Sequence, residues 1–199
     1  FAYLSLAVGT GALILFGAVQ VTMIVAGLLG GERFGGAQVA GTAIAFGGLA
    51  YLVSPGVTAP APLGAALMAL AGVAWGAYSL RGRRAADALA ATRGNFIRAV
   101  PLAVAAVAFM LPALHATPRG LALAAISGAI ASGLGYVLWY AALRALTATQ
   151  AAVIQLSAPV LAALGGSILL SERVTARLVV SSIAVLGGIA LAIASRRRR

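Results

Sequence analysis

Among the uncharged polar side chains inside otherwise apolar stretches of this chain, Gln20, Thr22, Ser132, Tyr136, Gln155 and Ser157 stand out. The two glutamines carry the most information. An amide in hydrocarbon without a hydrogen-bond partner is costly, so each must turn toward protein. Amides, hydroxyls and an aromatic wall from Trp75 can together bond and stack on a small organic molecule. Their plainer use is to tie one helix to another, worth about 0.6 kcal/mol on average inside a membrane. Titratable groups are missing from the middle of these stretches: no Asp, Glu, Lys, Arg or His is found there. Such a charge would cost roughly 2.5–3.5 kcal/mol on insertion scales and would mark an ion or proton path. The chain has no phosphate-binding loop of the Gly-rich, Lys-containing kind, no nucleophile paired with a base and no metal-ligand cluster. His115 is the single histidine, at the edge of an apolar run, and cysteine is absent. The residues point to solute binding without enzyme chemistry, cofactor or metal.

Membrane-length helices must position these groups. The chain is 62% hydrophobic and 9% charged, with a mean hydropathy of +1.06. Runs of about 20 apolar residues cross a hydrocarbon core of about 30 Å. The expected fold class is an all-α integral membrane protein, since a transmembrane β-barrel would show short alternating segments instead. Seven complete spans are predicted: Ala12–Leu29, Gln38–Val53, Pro62–Leu80, Phe96–Leu114, Leu121–Leu143, Thr147–Leu170 and Thr175–Ser195. Phe1–Val8 reads as the stub of a further helix, separated by a break at Gly9-Thr10-Gly11. Because the chain opens on Phe within an apolar run, its N-terminus reads as truncated. Arg81–Asn95 is the one long polar linker.

The formal charge of +11 would suggest nucleic acid in a soluble protein. Here the arginines stand at span boundaries, so they set orientation and nucleic acid is not an expected partner. Alternating the loops puts Arg33, Arg81, Arg83, Arg84, Arg93, Arg98, Arg144 and Arg196–Arg199 on one side, eleven against three. That side, with the C-terminus, is expected to be cytoplasmic. The absence of Lys and the wealth of Ala and Gly suggest a GC-rich bacterial genome, hence a bacterial inner membrane.

Displaced by 140 residues, the chain maps onto itself. Glu32-Arg33 falls on Glu172-Arg173 and Gly47-Gly48 on Gly187-Gly188, although the sequence holds only three acidic residues. Five spans lie between the copies, so they point opposite ways across the membrane, as in the inverted repeats of secondary transporters. A complete first half would need about 80 more residues. Each glutamate precedes a helix, where a carboxylate meets a positive helix end. A gating ion pair is the alternative. Trp75, Tyr78, Trp139 and Tyr140 read first as an interfacial aromatic belt. Gly72-x-x-x-Gly76, Gly128-x-x-x-Ser132 and Ala131-x-x-x-Gly135 read as close-packing motifs. Pro159 interrupts the sixth span and is a candidate hinge.

The segments W-G-A-Y-S at Trp75–Ser79, L-W-Y-A-A-L-R at Leu138–Arg144 and the block Ala151–Arg173 carry a resemblance. They resemble the drug/metabolite transporter superfamily, EamA type. The resemblance implies ten helices in two inverted five-helix repeats, with residues 1–56 the end of helix three and helices four and five, and 57–199 a complete second repeat. It implies secondary transport of small organic solutes or metabolites, commonly as efflux, by alternating access. The expected solute contacts are Gln20, Trp75, Ser132, Tyr136 and Gln155, with Pro159 as hinge. Expected partners are a small organic solute and the lipid bilayer, with a homodimer left open. The competing expectation is a non-transporting, truncated membrane protein with a structural role only. Val19 stands where the repeat would place a partner for Pro159, so symmetric kinking is not expected.

Overall fold

The computed structural model describes residues 5–54, 61–110, 116–169 and 173–194. Among these, all regular structure is helical. In chain order the helices are α1 (Val8–Leu29), α2 (Gly36–Val53), α3 (Pro62–Gly82), α4 (Ala88–Met110), α5 (Pro118–Ile126), a π-helical segment (Ser127–Leu134), α6 (Gly135–Leu143), α7 (Ala148–Gln155), α8 (Ser157–Leu169) and α9 (Ala176–Ala194). Six helical stretches among the described residues are long and apolar enough to cross a membrane: α1, α2, α3, α5–α6 together, α7–α8 together and α9. The 23-residue α4 is also long enough, although Arg93 and Arg98 lie within it. The protein is therefore an all-α, multi-pass membrane protein.

Several boundaries differ from expectation, each for a local reason. Helix α1 runs straight through Gly9-Thr10-Gly11, because all three are buried. Their packing outweighs a glycine penalty of about 1 kcal/mol each. Helix α4 starts eight residues before Phe96, inside the polar linker. Asp87 Oδ1 accepts from the amides of Leu89 (2.8 Å) and Ala90 (3.0 Å) and so caps it. The sixth span divides at Leu156. Pro159 has no N–H, so the Gln155 carbonyl loses its helical donor. The chain tightens there: the Leu156 amide donates to the Val153 carbonyl at 3.1 Å. The Ser157 hydroxyl takes the Ile154 carbonyl at 2.7 Å.

The repeat is visible in the elements. Displacing α1 by 140 residues gives the start of α7 and the end of α8, and displacing α2 gives the start of α9. Only the break at Leu156 has no counterpart, since α1 is continuous opposite it.

Packing divides the chain into two compact units, Phe1–Leu80 with Thr147–Arg199, and Arg81–Leu146. In the first, α2 and α9 lie backbone to backbone. A Cβ added at Gly41 would lie 2.5 Å from the Gly188 carbonyl, and one at Gly188 the same distance from the Gly41 carbonyl. Gly72 likewise lets α3 reach the Leu15 carbonyl of α1, and Gly76 admits Thr22. By contrast, a Cβ at Gly128 or Gly135 would meet nothing within 4 Å, so those two glycines do not mark close contacts among the described residues. A core of Phe16, Ala45, Leu49, Leu156, Val160 and Val185 draws on α1, α2, α9 and the break. At the end of α2, Arg177 donates to the Tyr51 carbonyl (2.9 Å) and stacks on the Tyr51 ring at 4.7 Å. It satisfies a carbonyl that the helix end leaves open.

The start of α7 is held from another part of the chain. Thr147 and Gln150 form a capping box. Glu32 accepts from the Ala148 amide (2.8 Å), the Thr149 amide (3.1 Å) and the Thr149 hydroxyl (2.7 Å). Gln38 adds a bond to the Thr149 hydroxyl at 3.1 Å. Gly31, at φ 86°, turns the chain between α1 and Glu32. The carboxylate thus serves a helix end, as its sequence position suggests, but the helix is α7 and not α2, which follows it. Glu172 lies outside the described residues.

In the second unit, Asn95 donates to the Tyr140 hydroxyl at 3.2 Å, and the Phe96 and Tyr136 rings are 6.2 Å apart. Tyr140 is buried against Gly82. It is a packing residue and not part of an interfacial belt.

Two outcomes follow from these contacts. Gly188→Val should lower the thermal midpoint of the detergent-solubilised protein, by an overpacking cost of about 1–3 kcal/mol, while Gly128→Ala leaves it within error. Glu32→Ala should cost about 1.5–3 kcal/mol, the range for hydrogen bonds to a charged group. An unchanged midpoint for Glu32→Ala would show that the capping box alone holds α7.

Candidate solute-binding site

Three helices of the first unit meet through side-chain amides. The Gln20 amide on α1 donates through Nε2 to the Ala152 carbonyl of α7. Gln155 lies three residues beyond Ala152, on the same face of α7. Its Nε2 donates to the Ser79 hydroxyl of α3 at 3.2 Å. Trp75 is one turn before Ser79, again on a shared face. Gln20, Gln155 and Ser79 are all buried, as an amide or hydroxyl at this depth must be. The Trp75 indole is half-buried and tilted against Phe16, with ring centroids 5.8 Å apart.

These bonds leave a residue of unmet capacity. Gln20 Oε1, Gln155 Oε1 and Trp75 Nε1 are buried without a hydrogen-bond partner. Buried polar atoms are paired in the great majority of cases, so three orphans on the helices that these amides join need an explanation. Pro159 also leaves the Gln155 carbonyl without its i+4 helical donor. Helices α1, α7 and α8 contain no charged residue. The cluster is therefore neutral, rich in acceptors and flanked by aromatic rings. It can hold donor groups of a small molecule or of water, and it offers nothing to a metal that requires a carboxylate, thiolate or imidazole.

Beside it, between α1 and α2, is a cavity of about 580 Å³. Gln20, Val21, Ile24, Phe34, Thr42 and Phe46 are among its lining residues. In the second unit, Ser132 lies in the π-helical segment and Tyr136 one turn later in α6, both half-buried. The expected contacts thus fall into two groups. Gln20, Trp75 and Gln155 come together in the first unit, and Ser132 with Tyr136 in the second.

Two other polar residues drop out. Thr22 donates to the Ala18 carbonyl (2.7 Å) and Ser157 to the Ile154 carbonyl (2.7 Å), each within its own helical stretch. Ser79, Gln38 and Thr149 have structural roles that the sequence reading passed over. Ser79 could have been found, since it stands four residues after Trp75 and shares its face. Gln38 and Thr149 are close to span ends, where a polar residue gives no signal. His115 lies outside the described residues.

Comparison with known proteins places the chain. Residues 62–194 match the EamA-like transporter family. The uncharacterized protein PA1977 of Pseudomonas aeruginosa is 54% identical over 203 residues, spanning 100% of this chain and 69% of that protein. A crystal structure of another protein superposes with a TM-score of 0.83 at 21% identity, over 99% of this chain and 71% of the other. At that identity the likeness speaks for the fold. The family match extends from the start of α3 to the end of α9 and takes in Trp75, Ser79, Gln155 and Pro159. The chain belongs to the EamA-like transporter family.

Proposed function

We propose that this membrane protein of the drug/metabolite transporter type is a secondary exporter of small organic solutes. It works by alternating access across a bacterial inner membrane, with its C-terminus in the cytoplasm. The observation that carries the reading is the amide cluster with its three orphaned polar atoms. A solute supplies what those atoms lack, and a transporter must bind at such a depth and let go again.

The repeat supports the same mechanism. With residues 1–56 assigned to the first repeat and 57–199 to the second, Gln20 bonds from one repeat to the other. The glutamines therefore belong to the seam that a rocking motion would open. The break at Leu156 gives α7 and α8 a joint, with Pro159 as the hinge residue. Gln20, Trp75 and Gln155 are assigned to the solute in the first unit, and Ser132 and Tyr136 act as solute contacts in the second. The bilayer is the other partner.

Flux in proteoliposomes tests the assignment. Gln155→Leu should reduce transport of solutes drawn from a panel of small organic compounds by about tenfold or more. That is the loss of one buried hydrogen bond with an unpaired partner left behind. Wild-type flux at normal expression would remove Gln155 from the site. Single cysteines introduced at Ala90 and Ala116 test orientation: a membrane-impermeant maleimide added outside whole cells should label the second and spare the first. Outside labelling at Ala90 would reverse the topology.

A further inference from the structure

In the second unit, α4 and α6 touch but do not close on one another. Beside the contacts of Asn95 with Tyr140 and of Phe96 with Tyr136 lies a crevice of about 370 Å³. From α4 it is lined by Leu89, Thr92, Arg93 and Phe96, at the i, i+3, i+4, i+7 spacing of one helix face. Leu134 and Val137 line the opposite wall. The Thr92 hydroxyl is buried within the wall, so Arg93 is the one charged side chain in an otherwise apolar lining. Leu89, Phe96 and Leu134 are also large apolar side chains left exposed.

Arg93 is exposed and makes no hydrogen bond or ion pair among the described residues. It stands three residues before Phe96, where the apolar run begins. From there its stem can lie on the wall while the guanidinium reaches headgroup level. Arg144 follows Val137 by seven residues and so shares the helix face that Val137 presents to the crevice. It too is exposed and without a partner among the described residues. The pairs Asn95–Tyr140 and Phe96–Tyr136 set the helices antiparallel, which brings the start of α4 and the end of α6 to one end of the crevice. Both arginines are at that end. Asp87 is the single acid of this unit, and its carboxylate already accepts from the Leu89 and Ala90 amides.

We propose that the crevice between α4 and α6 binds an anionic phospholipid. One acyl chain lies against Leu89, Phe96, Leu134 and Val137, and the headgroup phosphate pairs with Arg93, with Arg144 beside it. An empty crevice between helices forfeits dispersion contacts, which a flexible chain restores. The interval from Leu89 to Phe96 is about 10 Å of helix, which suits a stretch of chain. A guanidinium matches a phosphate with paired, charge-assisted hydrogen bonds. On the orientation proposed above this end is cytoplasmic, where basic residues beside a span meet anionic headgroups. The assignment goes beyond the transport reading and does not depend on it.

Native mass spectrometry of the full chain tests it, with phosphatidylglycerol and phosphatidylcholine of identical acyl chains as probes. The wild-type protein should retain phosphatidylglycerol about fivefold more tightly or better, fivefold being the worth of one arginine near a lipid surface. Arg93→Gln should lower that preference about fivefold, while Arg84→Gln, in the same unit but outside the lining, leaves it unchanged. Leu134→Trp should fill the crevice and weaken both lipids. Equal retention of the two lipids by the wild-type protein would overturn the proposal without recourse to any variant. An equal loss with Arg84→Gln would overturn it too, since diffuse surface charge would then account for the preference. So would unchanged binding in Leu134→Trp, or competition by free glycerol phosphate as strong as by the whole lipid, because either would leave the acyl chain no part in binding.

Discussion

Hydrocarbon offers a polar group no partner, and that single constraint orders this molecule. A helix end, an amide or a proline-freed carbonyl must find its bond within protein. The start of α7 finds three from Glu32, beyond its own capping box. The Gln20 amide finds the Ala152 carbonyl, and the Gln155 amide finds Ser79. Each of these bonds reaches across a long stretch of sequence. The demand for local satisfaction is met by long-range contact, and the first unit owes much of its connectivity to it. The demand goes unmet at Gln20 Oε1, Gln155 Oε1 and Trp75 Nε1, which are buried without a hydrogen-bond partner.

The two copies of the repeated element are alike in length and unlike in continuity. Helix α1 and the α7–α8 pair occupy positions 140 residues apart. Only the second copy is broken, where Pro159 has no N–H to give. The asymmetry places a joint in one arm and a continuous rod in the other. Gln155 is at the last position of α7, so the residue with the unpaired oxygen is also the one whose carbonyl the proline frees.

Much of this was legible in the residues. The apolar runs gave the spans, the paired Glu-Arg steps gave the repeat, and the cost of an amide in lipid turned Gln20 and Gln155 inward. What could not be read depended on contacts between distant segments. Glu32 stands just ahead of α2, and only the fold brings it to α7. Gly9-Thr10-Gly11 looks like a breaker until burial is known. Gly128 and Gly135 have the spacing of a packing motif, yet no neighbour approaches them among the described residues. Tyr140 shares its stretch with Trp139 and reads as interfacial, while its hydroxyl is engaged by Asn95. Spacing shows which residues share a face, but not which helix that face will meet.

The backbone contact between α2 and α9 also limits how such a chain can change in length. Gly41 and Gly188 act as a key and its slot, each admitting the carbonyl of the other. One residue added to α2 between Gly41 and Gly48 would turn the rest of the helix by about 100°. Placed before Ile44, it would set isoleucine where Ala45 now lies against Gly188. A register of this kind tolerates substitution far better than insertion. Among relatives, length variation should therefore collect in the connections between helices, and the interval from Gly41 to Gly48 should keep its count of residues even where their identities drift.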